Sequence, residues 1–320
     1  MGPPENAVQA DGVTKRYQDK LALDGVDLVV PRGTVHGLLG PNGAGKTTMV
    51  RILTTLTRLD QGRVSVAGFD VQAQPRQVRA SIGLAGQQTA VDDLLSARQN
   101  LTTFGRLFRL DKAAARRRAD ELLELFGLAD AANRAPKKFS GGMRRRLDLA
   151  ASMILAPQVL FLDEPTTGLD PAGRREVWSA VRDLAAQGTT VLLTTHYLDE
   201  ADKLCDRITV IDHGRNFVED TPTGLKRRIG DERLEVAATE PAVLRSVAAL
   251  VEQVTGLEVA LDEGAGSVSV PVPDGVRALT EVAAEIRGRG LEIADIGLRR
   301  PTLDEAFLYL TTSREMTEAA

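Results

Sequence analysis

The sequence has one cysteine, three histidines and no apolar run of membrane-spanning length. With Cys205 alone, no disulfide can form within the chain, which suits a reducing compartment. The histidines, His36, His196 and His213, show no metal-ligand spacing, so a zinc site is not supported. No stretch approaches the ~20 apolar residues that a membrane helix needs. Any membrane domain serving this chain is therefore expected on another polypeptide. The opening MGPPENAVQADG has neither a basic start nor an apolar core, so no export signal is expected. A net charge of −4 leaves no overall basic excess for nucleic acid. The basic runs Arg116–Arg118 and Arg144–Arg146 accordingly read as solvated or interface-facing helix surfaces. What is present is length and apolar content: 320 residues, 43% of them hydrophobic, can fill two ordinary cores.

Two segments carry chemistry on their own residues. GPNGAGKTT at 40–48 follows the strand-like run VHGLL and fits G-x-x-x-x-G-K-[ST]. Gly40, Pro41, Asn42, Gly43, Ala44, Gly45, Lys46, Thr47 and Thr48 form this loop. Its glycines let backbone N–H groups turn toward phosphates, and the helix that follows offers its positive end to the anion. Lys46 would neutralise the β- and γ-phosphates, and the Thr47 hydroxyl would ligate Mg2+. The second segment, LFLDEP at 160–165, reads as a doubly buried strand ending in Asp163 and Glu164. Carboxylates at the carboxyl end of such a strand face the ligand crevice. Asp163 is then placed to hold Mg2+, and Glu164 to orient or deprotonate water. Positioning and charge neutralisation are most of what phosphoryl transfer requires.

From about residue 8 to 219 these motifs, in this order, resemble the nucleotide-binding domain of an ABC transporter. The resemblance implies an α/β P-loop NTPase core with a helical subdomain at about 88–155, binding ATP with Mg2+. It identifies Ser140, Gly141 and Gly142 as the signature that meets the γ-phosphate bound by a partner copy, with Met143 where glutamine is usual. Tyr17 matches the aromatic that stacks on adenine. Gln87 matches the glutamine that touches Mg2+ and water, although Gln88 is adjacent and the assignment stays open by one residue. Asp170 matches the loop that crosses the dimer interface and also reads as an N-cap before Pro171. His196, after VLLTT, matches the switch histidine at the γ-phosphate; His36 and His213 read as structural. The catalytic set implied is Glu164, His196, Gln87 and Lys46, with Thr47, Gln87 and Asp163 on the metal.

Between Gln87 and Ser140 the pattern is helical, with Leu101, Phe104, Leu107 and Phe108, then Leu122, Leu123, Leu125 and Phe126, read as core stripes. Domains are expected at 1–220 and 221–320, with TPTG as a breaker. After it the pattern reads β-α-β-β-α-β, a small α+β ferredoxin-like domain for regulation or assembly. Thr302 and Glu305 have capping-box spacing ahead of Ala306, Phe307 and Leu310. GQQ-x-AVDD, SGGMRRRLDLA and RRPTLDEAFLYLT together resemble the daunorubicin/doxorubicin branch of exporter ATPases. That implies an ATPase homodimer, peripheral on the cytoplasmic face of the membrane, driving efflux of an amphipathic drug or lipid through a separate multi-span permease. The alternative is a soluble ATPase of the same type on ribosomes or DNA.

Overall fold

In the computed structural model the described residues are 5–86, 90–228, 232–299 and 302–306. The chain divides into two compact units, Met1–Pro222 and Thr223–Ala320.

The first unit is built on a six-stranded sheet in the order Arg215–Asp220, Arg207–Asp212, Val35–Leu39, Thr190–Thr195, Val159–Asp163, Ile82–Ala85. All neighbours are parallel except the first pair, a hairpin through His213 and Gly214. VHGLL, VLFLD and TVLLTT are buried at every residue, as expected of parallel strands covered on both faces. Register decides where the chemistry collects: Leu39 lies opposite Thr195, and Asp163 opposite Thr194. Gly40, Glu164 and His196 therefore leave the sheet at one edge, outside the carboxyl ends of the strands. A second, antiparallel sheet runs Lys20–Pro31, Asn6–Tyr17, Gln61–Val66, Phe69–Asp70. Val8, Leu28, Leu38, Ile52, Phe161 and Leu192 join the two sheets and the helix Lys46–Leu53 in one core.

Helices Ala97–Leu107, Lys112–Leu125 and Gly141–Ser152 are inserted between the strands Ile82–Ala85 and Val159–Asp163. Ser96 and Gln99 form a capping box, and Asp111 caps the second of these helices. The apolar stripes divide here. Leu101, Leu122, Leu123 and Phe126 are buried, whereas Leu107, Phe108 and Leu125 are exposed. The helix Ala97–Leu107 turns its Leu101 face to its neighbour and leaves Phe104 and Phe108 along a groove. The basic run Arg144–Arg146 also departs from expectation. Arg145 is buried against Asp148, and Arg146 donates to the Phe126 carbonyl, so the run is not a solvated face.

The division between the two units falls within TPTG, where Pro222 also opens the short helix Pro222–Arg227, since a first-turn position needs no N–H. The second unit has strand Arg233–Ala238, helix Pro241–Thr255, strands Ala260–Asp262 and Ser267–Pro271, helix Gly275–Gly288 and strand Ile293–Arg299. The sheet is antiparallel, with the third strand beside the first and the fourth on its other side. Leu234, Val236, Val268 and Val270 alternate onto the helix residues Val247, Val251 and Val282. The second strand is shorter than LEVAL suggests, with Leu257 and Leu261 exposed. Thr302 and Glu305 exchange backbone-to-side-chain bonds at 2.8 and 3.2 Å, which is the capping box. Phe307 and Leu310 lie outside the described residues.

Candidate nucleotide-binding site

The phosphate loop begins where Val35–Leu39 ends and the chain must reverse into Lys46–Leu53. Gly40, Gly43 and Gly45 have φ of 149°, 84° and 111°, values that L side chains rarely adopt. Gly40 is also sterically required: a Cβ there would lie 2.1 Å from the Ile211 carbonyl oxygen. At Gly45 it would lie 2.6 Å from that of Ala22. The hairpin turn braces the loop from behind, Gly214 N–H donating to the Ala44 carbonyl at 3.0 Å.

Lys46 is 6% exposed, and its Nζ donates to the carbonyls of Gly40 and Pro41 at 2.6 and 3.0 Å. Burial lowers its pKa, and the nearby Glu164 and Asp163 carboxylates oppose that shift. Asp163 is buried at the strand end and accepts the Thr194 hydroxyl at 2.5 Å. Glu164 follows with φ 50°, outside the strand conformation. Its N–H points to the Thr194 carbonyl and hydroxyl, both at 3.1 Å, and Thr167 donates its hydroxyl to Oε2 at 3.3 Å. His196 Nδ1 lies 3.3 Å from Glu164 Oε1.

Tyr17, Lys20, Ala22 and Glu164 line one cleft of about 280 Å3 with loop residues Asn42, Gly43, Gly45, Lys46, Thr47 and Thr48. Tyr17 is 43% exposed beneath Lys15 at its mouth. An aromatic face, a lysine and an N-terminal helix turn in one cleft suit a base and its phosphates. The Thr47 hydroxyl and Asp163 carboxylate are hard oxygen donors of the kind Mg2+ takes. Gln87 and Gln88 lie outside the described residues. Among the described residues no His, Cys, Asp and Glu cluster could hold a metal by itself.

Ser140, Gly141, Gly142 and Asp170 do not line the cleft. Ser140 Oγ accepts from Met143 N–H and caps Gly141–Ser152; Asp170 Oδ1 accepts from Gly173 N–H and caps Pro171–Ala186. The two helix starts meet at Gly142 and Gly173, where a Cβ on Gly142 would lie 3.0 Å from Gly173 Cα. Along Pro171–Ala186, Arg174 stacks on Tyr197 at 4.1 Å, and Tyr197 contacts His196. Farther on, Trp178 Nε1 donates to the fully buried Glu200 at 3.1 Å. Burial raises the pKa of Glu200.

The chain matches the ABC transporter family over residues 23–167. It is 62% identical to the daunorubicin resistance ATP-binding protein DrrA2 of Streptomyces coeruleorubidus, over 98% of each chain. The chain belongs to the drug-resistance ABC transporter ATP-binding subunits. As a member of that family it binds ATP and is an ATPase subunit of an exporter. It is also 50% identical to the doxorubicin resistance ATP-binding protein DrrA of Mycobacterium tuberculosis, over 98% of this chain and 96% of that one. Among solved structures it resembles a dimeric ATP-binding cassette in a post-hydrolysis state bound to ADP and Pi. That likeness has TM-score 0.60 and 27% identity, over 67% of this chain and 98% of the other. These relatives give no support to a ribosomal or DNA-bound role. No described helix is long and apolar enough to cross a membrane.

Sequence reasoning missed Lys20, Thr194 and Arg145. Thr194 was legible as the residue two before His196 in a strand parallel to LFLD; nothing in the sequence marks Arg145 among its basic neighbours.

Proposed function

We propose that two copies of this chain sandwich two ATP molecules and drive efflux of an amphipathic drug or lipid through a separate multi-span permease. The observation that carries this is the Lys46–Thr47–Glu164 cleft with His196 on the Glu164 carboxylate. Lys46 exchanges the Gly40 and Pro41 carbonyls for the β- and γ-phosphates, and Tyr17 stacks on the adenine. Thr47, Asp163 and Gln87 hold Mg2+, which supplies charge neutralisation at the phosphates. Glu164 aligns and deprotonates the attacking water, oriented by His196. Ser140 and Gly142 of the second copy meet the γ-phosphate, with Asp170 at the interface. Closure follows from the closed dimer's greater affinity for ATP than for ADP.

The permease docks in the apolar groove lined by Leu56, Leu84, Phe104, Phe108, Ile154 and Leu155, about 270 Å3. In this reading the subunit sits peripherally on the cytoplasmic face of the membrane. The unit after residue 222 serves regulation or assembly.

Glu164→Gln protein, purified with ATP from gently solubilised native membranes, tests this reading. A stoichiometric multi-span membrane protein in the mass spectrum is expected. Recovery only as soluble protein with ribosomal or DNA-bound partners would overturn it.

A further inference from the structure

We propose that Arg145 is a positioning residue for hydrolysis, holding the backbone on both sides of Glu164 and tying it to the root of the glutamine segment. Arg145 lies on the helix that Ser140 caps, and only 6% of it is exposed. Its Nε donates to the Pro165 carbonyl at 2.8 Å, and its Nη2 lies 3.4 Å from the Asp163 carbonyl. Its Nη1 donates to the Gly86 carbonyl at 2.8 Å and to Asp148 Oδ2 at 3.2 Å. Asp148, 4% exposed, accepts the Ala90 N–H on its other oxygen at 2.9 Å. One buried ion pair thus touches the residues before and after Glu164, and also Gly86 and Ala90, which bracket residues 87–89 in sequence.

A buried ion pair is seldom more stabilising than an apolar replacement of similar volume, so its usefulness lies in where it holds things. What it holds here is a turn in which Glu164 takes φ 50°, a conformation that survives only when its surroundings fix it. A planar guanidinium reaches several carbonyls at set angles, which a lysine ammonium cannot reproduce. Asp148 and Ala90 also line the groove beside Leu84, so the pair spans from that groove to the backbone of Glu164.

The inference rests on Glu164 as the group that activates water, and the test separates the two. Arg145→Lys keeps a cation opposite Asp148, so the carboxylate is not left unpaired. Its kcat for ATP is expected to fall at least tenfold while ATP Kd, by titration calorimetry, stays within about twofold of wild type. In a Glu164→Gln background, adding Arg145→Lys is expected to change the residual turnover by less than about twofold, because the arginine acts through the glutamate. Wild-type kcat in Arg145→Lys, a parallel loss of ATP affinity, or a full tenfold loss in the Glu164→Gln background would each overturn the proposal. Brisk turnover by Glu164→Gln alone would instead remove the glutamate's own role. If circular dichroism shows Arg145→Lys unfolded, Arg145→Met with Asp148→Asn removes both charges and faces the same three measurements. Unfolding of that variant too would make the pair a stability element and overturn the proposal.

Discussion

Gly45 accepts no side chain without strain: φ is 111° and a Cβ would press on the Ala22 carbonyl. Gly45→Ala is expected to lower folding stability by about 1–3 kcal/mol in urea titrations. Lys46→Ala removes a charge-assisted bond worth about 1.5–3 kcal/mol, so ATP affinity should fall roughly 10- to 150-fold in calorimetry. Wild-type affinity would refute the phosphate-loop role. His36, fully buried in the strand feeding this loop, has Nε2 2.8 Å from the Thr209 hydroxyl and, among the described residues, no hydrogen-bond partner for Nδ1. Burial, with Arg207 nearby, lowers its pKa from 6.5 to about 4. The unfolded chain therefore binds a proton that the folded chain refuses between these pH values, and stability falls as pH drops through that window. The loss reaches about 3 kcal/mol at its acid end. Urea midpoints of wild type and His36→Gln should converge as the buffer goes from pH 7 to 4.5; a constant gap would contradict this assignment.

Among the elements, the helix Gly141–Ser152 has the most to do. Ser140→Ala should cost about 1 kcal/mol as a lost cap. If Ser140 also meets the partner's ATP, Ser140→Ala with Glu164→Gln will bind ATP yet stay monomeric in gel filtration, where Glu164→Gln alone dimerises. The strands Val159–Asp163 and Thr190–Thr195 were legible in sequence because a parallel strand buried on both faces is a largely apolar run, the first ending in Asp163 and the second leading into His196. The inserted helices were legible as helices but not as surfaces. Period alone cannot say that Leu101 is covered while Leu107 is 71% exposed, since that depends on which neighbour arrives. Arg145 was illegible for the same reason: three adjacent arginines point three ways around a helix, and only tertiary packing chooses the buried one.

At the scale of the whole molecule, the two units have separate apolar cores. Residues 223–320 expressed alone are expected to fold with a cooperative thermal transition by circular dichroism, and residues 1–222 to bind ATP as the full chain does. A fragment 223–320 without cooperative melting would show that the second core cannot stand alone.

The chain has a single tryptophan. Because the Trp178 indole, on the helix that Asp170 caps, is hydrogen-bonded to buried Glu200 of the helix Leu198–Leu204, all tryptophan emission from this protein arises at one point behind the proposed dimer face. ATP-driven closure should therefore shift the intrinsic fluorescence of the unlabelled protein, turning a structural contact into an optical clock for each cycle.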